Sequence, residues 1–356
     1  MKGGVDADNM FFDLSGDSRI AETGDYVSFL DGSGSSWLLS ANAQAKYMIT
    51  DHLFFTGGAN ASWFQLNEEL RIEPRVSAAW QWHPNHRISA GYGNHSQVEP
   101  LFVYFVSRIN DESGEIIHPN KGLKRMGAHH FVVGYDWSPS ANFRIKIEPY
   151  YQKLYDVPVE EGTAYSMLNF RSDWTFDKAL VNDGTGRNVG VDLTVERFLN
   201  EGYYYMVTGS MYDSKYTGGD GVERRSRYDG EYVVNLLGGK EWDVRKKNLL
   251  GLNFKVTFMG PFWHHPVDEA ATAIAGEIVY DEDLPFVDRY SNLEALTDVT
   301  FTYRINARQS SSVFALQVKN LAGRQYQGKR YNLISQEVEN EFFYSAIPFV
   351  SYKIEF

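Results

Sequence analysis

The 356-residue sequence predicts an all-β chain, an antiparallel up-and-down β-barrel that crosses a membrane with its strands. Three observations predict it. Apolar and polar residues alternate through most of the chain, short and long connections alternate between the segments so defined, and aromatic residues gather beside the short connections.

Residues 1–36, with "NMFFDL" and "DYVSFL", are expected to supply one further strand or one long loop ahead of the main barrel portion at 37–356. After residue 36 the alternation defines about 13 strands, most of them longer than a mean strand of about 5–6 residues and suited to a tilted crossing of about 9–11. In "FRIKIEPYY" Phe143, Ile145, Ile147 and Tyr151 oppose Arg144, Lys146, Glu148 and Tyr150. In "VGVDLTV" Val189, Val191, Leu193 and Val195 oppose Gly190, Asp192 and Thr194. "LGLNFKVTF" sets Leu250, Leu252, Phe254, Val256 and Phe258 against Gly251, Asn253, Lys255 and Thr257, and "VTFTYRI" sets Val299, Phe301, Tyr303 and Ile305 against Thr300, Thr302 and Arg304. The closing "FVSYKIEF" places Val350, Tyr352, Ile354 and Phe356 opposite Ser351, Lys353 and Glu355. Because side chains of a strand alternate between faces, each segment has one greasy side and one polar side.

The short connections are expected at Asp51, 84–86, 138–140, 199–201, 244–247 and 306–310, and the long ones at 66–72, 98–126, 155–187, 214–227, 261–294 and 323–341. In a meander every second connection lies at the same end. One end therefore carries tight turns and the other large loops, the asymmetry of an outer-membrane barrel with periplasmic turns and extracellular loops. Trp80, Trp82, Trp137, Phe198, Tyr203, Trp242, Tyr303 and Phe356 lie beside the short turns, where amphipathic rings favour the boundary between hydrocarbon and water. Packing in the core of a soluble sandwich would account for the rings, but not for the parity of the loops.

Composition narrows the functional classes. The net charge of -12 and pI near 5.3 exclude a nucleic-acid partner, since no basic surface is available for phosphates. There is no cysteine, so no disulfide framework and no thiolate metal site is expected. No run reaches the ~18 apolar residues of a membrane helix, and the start "MKGGVDADNMFF" lacks the features of a signal peptide.

Sites are sparse. His264 and His265, with Asp268 and Glu269, invite a zinc reading, but no third histidine is near, and an ordinary polar loop is the expectation. His129 and His130, adjacent on a strand, face opposite ways. The run Asp281, Glu282, Asp283 reads as a solvated loop rather than a calcium site. The glycines 184, 186, 218, 219 and 221 lack the strand, helix and lysine of a phosphate loop and read as turns. No nucleophile elbow or acid/base pair is found, and neither an enzyme nor a cofactor is expected. On the polar faces, Arg144, Lys146, Glu148, Asp192, Glu196, Lys255, Arg304 and Lys353 are expected to line the lumen and to hold a plug. In the long loops, Phe105, Tyr165, Trp174 and Trp263 are the candidates for stacking on a ligand.

"EPRVSAAWQWHPNHRISAGYGNHSQVEPLFVYF" (73–105), "NVGVDLTVERFLNEGYYYMVTGSMYDSKY" (188–216), "NLLGGKEW" (235–242) and "VKNLAGRQY" (318–326) resemble, in order, barrel segments of TonB-dependent receptors of the type that carries a carboxypeptidase-regulatory-like domain ahead of the plug. That resemblance implies a barrel of about 22 strands around a plug, contact with outer-membrane lipid, and uptake of a scarce nutrient (siderophore, glycan, peptide or cofactor) energised by the TonB complex. The terminal Tyr352, Ile354 and Phe356 resemble the signal read by the outer-membrane assembly machinery. This chain supplies about 13–14 such strands and no plug, so it is expected to be the C-terminal part of a receptor barrel. A self-contained 14-stranded passive porin or fatty-acid channel and a soluble carbohydrate-binding β protein are the alternatives.

Overall fold

The computed structural model describes residues 1–19, 26–110, 115–171, 176–245, 247–289 and 294–356. Fourteen long antiparallel strands follow one another in a single sheet, each paired with its neighbours in sequence. They are β1 Lys2–Arg19, β2 Tyr26–Met48, β3 Leu53–Phe64, β4 Glu69–His83, β5 His86–Gln97, β6 Met126–Ser140 and β7 Phe143–Val159, then β8 Val181–Asn200, β9 Tyr203–Thr217, β10 Tyr232–Val244, β11 Asn248–Met259, β12 Glu294–Asn306, β13 Ser311–Lys319 and β14 Ile347–Glu355. The order is the predicted meander. Among the described residues no helix is long and apolar enough to cross a membrane, which leaves crossing by strands untouched.

Five boundaries differ from expectation. Residues 1–36 form β1 and the loop-proximal half of β2, extending the meander to 14 strands. The connection expected at 66–72 is a tight turn at 65–68, because Glu69, Arg71 and Glu73 continue the polar row of β4 opposite Phe64, Ser62 and Asn60 of β3. The turn expected at 138–140 lies at 141–142 and that at 199–201 lies at 201–202, where Glu201 and Gly202 take positive φ. Gly184 and Gly186 belong to β8, not to a turn: a Cβ at either would meet Val159 or Leu168 within 2.6 Å. Apart from the tight turn at 65–68, the long connections still gather at one end and the tight turns at the other.

Register places every polar row on one continuous face. Across β7 to β11, Arg144 lies opposite Glu196, Lys146 opposite Thr194, Glu148 opposite Asp192, Asp192 opposite Ser210, and Leu237 opposite Lys255. The apolar rows share the other face and are open to the surroundings. On β4, Ile72 is 66% exposed while its neighbour Glu73 is 4% exposed, an inversion that no water-soluble sheet tolerates and that lipid requires. A cavity of about 530 Å³ bounded by β2 to β6 lies on the polar face, so that face is concave. Near the turns, Trp82 stacks with His86 and Tyr135, and His86 with Trp137, in a belt on β4, β5 and β6.

Bulges interrupt several ladders, and one pairing stops well short of its strands' ends. The β4–β5 pairing stops at Arg75 and Gly93, beside Pro74, which has no N–H to give on that side, while the β3–β4 ladder runs on to Glu69. Side chains close the gap: Ser96 Oγ donates to Glu73 Oε1 at 2.5 Å, and Asn60 Nδ2 to Glu73 Oε2 at 3.1 Å. Among the described residues no pairing joins β1 to β14, and β14 is exposed along nearly all its length.

Candidate functional site

Two surfaces have the makings of a site: the concave polar wall, and the layer of loops above it. On the wall the eight predicted charges share one face and mostly answer one another. Arg144 pairs with Asp136, Lys146 with Glu148 at 2.5 Å, and both Arg304 and Lys353 reach Glu355, at 2.7 and 2.8 Å. Lys255 stands opposite Asp298, and Glu196 opposite Arg144. Such half-exposed pairs are individually weak, worth about 0–1 kcal/mol, so another surface can exchange with them at little cost. Toward β2 the wall turns neutral: Asn42, Gln44, Thr56, Asn60 and Ser77 line the cavity, with Arg75, His95 and His130. His130 faces this cavity, while His129 stacks on Tyr155 and its Nδ1 lies 3.0 Å from the Tyr92 hydroxyl on the opposite face.

The loop layer is chained from one connection to the next. Loop 98–125 folds back over the concave face and bonds to β2, with Ser107 N–H donating to Phe29 O at 2.9 Å and Asp31 N–H to Phe105 O at 3.2 Å. Buried Asn120 ties it to loop 160–180: its Nδ2 donates to Val103 O and Lys178 O, and its Oδ1 accepts from Leu180 N–H, all at 2.8 Å. Asn169 Oδ1 then accepts from Ser226 Oγ and Arg227 N–H in loop 218–231. Trp263 N–H donates to Arg227 O, and Lys329 Nζ binds Asp288, extending the chain through loop 260–293 to the hairpin Arg324–Asn332/Glu337–Tyr344. Phe64, Val103, Tyr104, Phe105, Val106, Leu123, Met167, Phe176 and Leu180 form an apolar core under the first two of these loops.

The predicted stacking residues serve this layer. Phe105 is buried, its ring 4.4 Å from that of Phe12 and filling the space beside Gly32, so in this arrangement it packs the loop rather than facing solvent. A Cβ at Gly32 would come within 2.3 Å of the Phe105 ring. Gly32→Val is therefore expected to cost about 1–3 kcal/mol by overpacking and to expose loop 98–125 to limited proteolysis, whereas the same change at Gly57, whose Cβ position is open, leaves the digest unchanged. Tyr165 is half-buried under Lys178, whose Nζ lies 4.7 Å from the ring. Trp263 is half-buried between the guanidinium groups of Arg225 and Arg289, at 4.2 and 5.1 Å from its ring. Trp174 lies outside the described residues. His264 sits 3.7 Å from Asp288, and His265 Nδ1 lies 3.2 Å from Asp281 O; among the described residues no three potential ligands converge for a metal.

Sequence reasoning missed the clamp beneath the loop layer. Arg125, 2% exposed, bonds Glu69 at 3.0 Å and Ser62 Oγ at 2.7 Å; Arg71 bridges Glu69 at 2.6 Å and Asp156 at 2.7 Å and donates to Arg125 O. The signal was present in "ELRIEPR", where Glu69, Arg71, Glu73 and Arg75 alternate in sign at every second position.

A second buried group is Glu99, at the start of loop 98–125. It is 7% exposed, its Oε1 has no hydrogen-bond partner among the described residues, and burial pushes its carboxyl up to about 7. Its folded pKa exceeds the unfolded value of 4.5, so the protonated form suits the folded loop. Stability contributed by the neutral form is full below about 4.5, falls as pH rises, and is lost above about 7. Loop 98–125 is expected to become more protease-sensitive between those limits, and Glu99→Gln is expected to flatten that dependence.

Comparison with known proteins agrees with the geometry. A family model for the TonB-dependent receptor-like β-barrel matches residues 4–321. No curated protein matches the chain. Among solved structures it is similar to the ferric yersiniabactin uptake receptor FyuA from Yersinia pestis, at 14% identity and a TM-score of 0.58 over 93% of this chain and 48% of that one. It is also similar to the ferric enterobactin receptor PfeA from Pseudomonas aeruginosa, at 14% identity and 0.57 over 91% and 45%, and to the ferric-catecholate import receptor Fiu from E. coli K12, at 12% and 0.58 over 90% and 45%. At those identities the likeness is one of fold, and the chain spans about half the length of these receptors. With the family model covering most of its length, an apolar outer face and turns and loops sorted to opposite ends, the chain belongs to the TonB-dependent receptor-like β-barrel family, proteins of the Gram-negative outer membrane.

Proposed function

We propose that this chain is the C-terminal part of the barrel of an outer-membrane receptor for energised uptake of a scarce nutrient, completed by further strands and closed by a plug. The observation that carries the reading is a fourteen-stranded sheet with a largely polar concave face and an apolar outer face, whose end edges lack a partner among the described residues. A sheet edge in lipid leaves backbone groups unsatisfied at a cost of several kcal/mol each. Further strands on β1 and β14 would satisfy them, and the half-length match to complete receptors leaves room for those strands. Residues 1–36 enter the barrel with 37–356 in this reading. Arg144, Lys146, Glu148, Asp192, Glu196, Lys255, Arg304 and Lys353 would then exchange their mutual ion pairs for a plug.

The nutrient is of the siderophore, glycan, peptide or cofactor class, and the similar receptors named for ferric yersiniabactin and ferric enterobactin favour an iron chelate. The energy comes from the inner-membrane TonB complex acting on the plug. The resemblance at 73–105 and 188–216 supports a receptor of the type bearing a carboxypeptidase-regulatory-like domain. Tyr352 and Ile354 lie in the outer row of β14, where assembly machinery would read them with Phe356.

The test is reconstitution. The purified chain added alone to a planar bilayer is expected to give no stable conductance. A steady channel from the lone chain would establish the self-contained porin instead, and a chain that stays in solution without detergent would establish the soluble β protein.

A further inference from the structure

The wall of the sheet is weakest at the seam beside Pro74. Beyond Arg75 and Gly93, the last pair of the β4–β5 ladder, β4 runs on through residues 69–74 and β5 through 94–97, with no backbone pairing between them among the described residues. At about 3.3 Å per residue, that stretch of wall is roughly 13–20 Å long. It is not a frayed end, because the flanking ladders continue beside it, β3–β4 to Phe64 and Glu69 and β5–β6 to Gln97 and Met126. Its depth is that of hydrocarbon: Leu70 and Ile72, on the outer row of β4 along the seam, are 64% and 66% exposed. A wall in lipid satisfies its backbone by closed pairing, so an unpaired stretch at that depth is where the wall parts at least cost.

Side chains hold the seam, and they are polar. Glu73, 4% exposed, accepts from Ser96 Oγ across the seam and from Asn60 Nδ2 on β3. On the outer side Asn94, at the edge of β5, accepts from Tyr155 O–H at 3.0 Å. Each such bond is worth about 0.5–3 kcal/mol net and can be exchanged singly for a bond to water or to a ligand. Behind the seam lies the cavity of about 530 Å³, whose lining includes Asn60, Arg75, Gly93 and His95. That volume is in the range of small-molecule sites. Arg75, at the foot of the seam, has no acidic partner among the described residues. Hydrocarbon outside, a polar latch within the wall and an unpaired cation in the cavity behind it fit a molecule with an apolar tail and an anionic head.

We propose that the β4–β5 seam is a side entrance from the loop-side leaflet, through which a single-chain amphiphile of the fatty-acid class reaches the cavity, its carboxylate on Arg75 and its chain in the seam beside Leu70 and Ile72. Entry requires Glu73 to release Ser96, while the ladder from Arg75 and Gly93 to the turn stays closed. The proposal rests on the membrane-spanning reading but not on the identity of the nutrient admitted past a plug.

The experiment uses the chain in the outer membranes of the cells that make it, with the photo-cross-linking residue p-benzoylphenylalanine in place of Ser77, which lines the cavity, or of Thr302, on the same concave face at β12. Alkyne-tagged hexadecanoic acid is added, the membranes are irradiated, and the captured tag is counted. Position 77 is expected to capture the acid at least tenfold more than position 302 and at least tenfold more than it captures tagged hexadecanol, and Arg75→Gln to remove the preference for the acid. Because the chain has no cysteine, E73C/S96C introduces a single pair across the seam. Bridging that pair with a short, reducible thiol-reactive linker is expected to cut capture at position 77 at least tenfold, and reduction to restore it. Pro74→Ala, which gives β4 an N–H toward β5, is expected to lower capture too and replaces the bridged chain if the cysteine pair prevents assembly. Capture that is unchanged by closing the seam, that is equal at the two positions, or that is equal for acid and alcohol overturns the proposal. Absence of the chain from the membrane fraction would instead overturn the membrane reading itself.

Discussion

Glu69→Leu is expected to destabilise the loop end of the barrel by about 3–5 kcal/mol, the cost of leaving a buried charge without its partner. Arg125 would keep Ser62 as a neutral acceptor but lose its carboxylate, at a site where its side chain is 3% exposed. Arg71 fares better, since Asp156 remains at 2.7 Å. The effect should therefore concentrate on Arg125 and on the loop it terminates. Because Asn120 ties loop 98–125 to loop 160–180, both should become protease-sensitive together. The double variant E69L/R125M is expected to recover most of the loss, since replacing both members of a buried pair by apolar groups of like size is often neutral or better. Urea unfolding in detergent micelles, followed by loss of the compact band on unheated gels, measures both variants against the parent chain. Equal losses for the single and double variants would show that the clamp acts through packing and not through charge.

The barrel was legible in the sequence because lipid imposes a two-residue period that nothing local can override: Ile145 and Ile147 must turn away from Lys146 and Glu148 wherever the strand runs. Loop architecture was not legible, because it depends on contacts between segments far apart in the chain. Phe105 reads from sequence as an exposed loop aromatic, yet the glycine at position 32, 73 residues away, is what makes room for its ring. The clamp fell between these cases. Glu69 and Arg71 obey the alternation, but with Gln65 to Glu68 nearby they resembled a polar loop, and only the buried partner Arg125 shows why a strand should begin with two half-buried charges. The seam at Pro74 was equally hidden: proline in a strand is evident, but which ladder it ends depends on the side its nitrogen faces.

Val191→Arg is expected to cost about 2–4 kcal/mol, and Asp192→Arg, one residue on, well under 1 kcal/mol. The contrast follows from position alone. Val191 is 45% exposed on the outer face, near the middle of the apolar band bounded by Arg187 and Arg197. A guanidinium there is too far from either headgroup layer to reach water without thinning the lipid. Asp192 projects from the concave face opposite Glu148, where an arginine meets a carboxylate and solvent, and where the present facing pair of acids gains by losing one. Folding into lipid vesicles, titrated with urea, gives the two values in one assay. A soluble sheet would penalise Val191 too, because its apolar row would be packed against protein, but that penalty would then persist unchanged in detergent-free buffer. Equal costs at the two positions would mean that neither face meets hydrocarbon, and the assignment of the outer surface and the girdle would fall together.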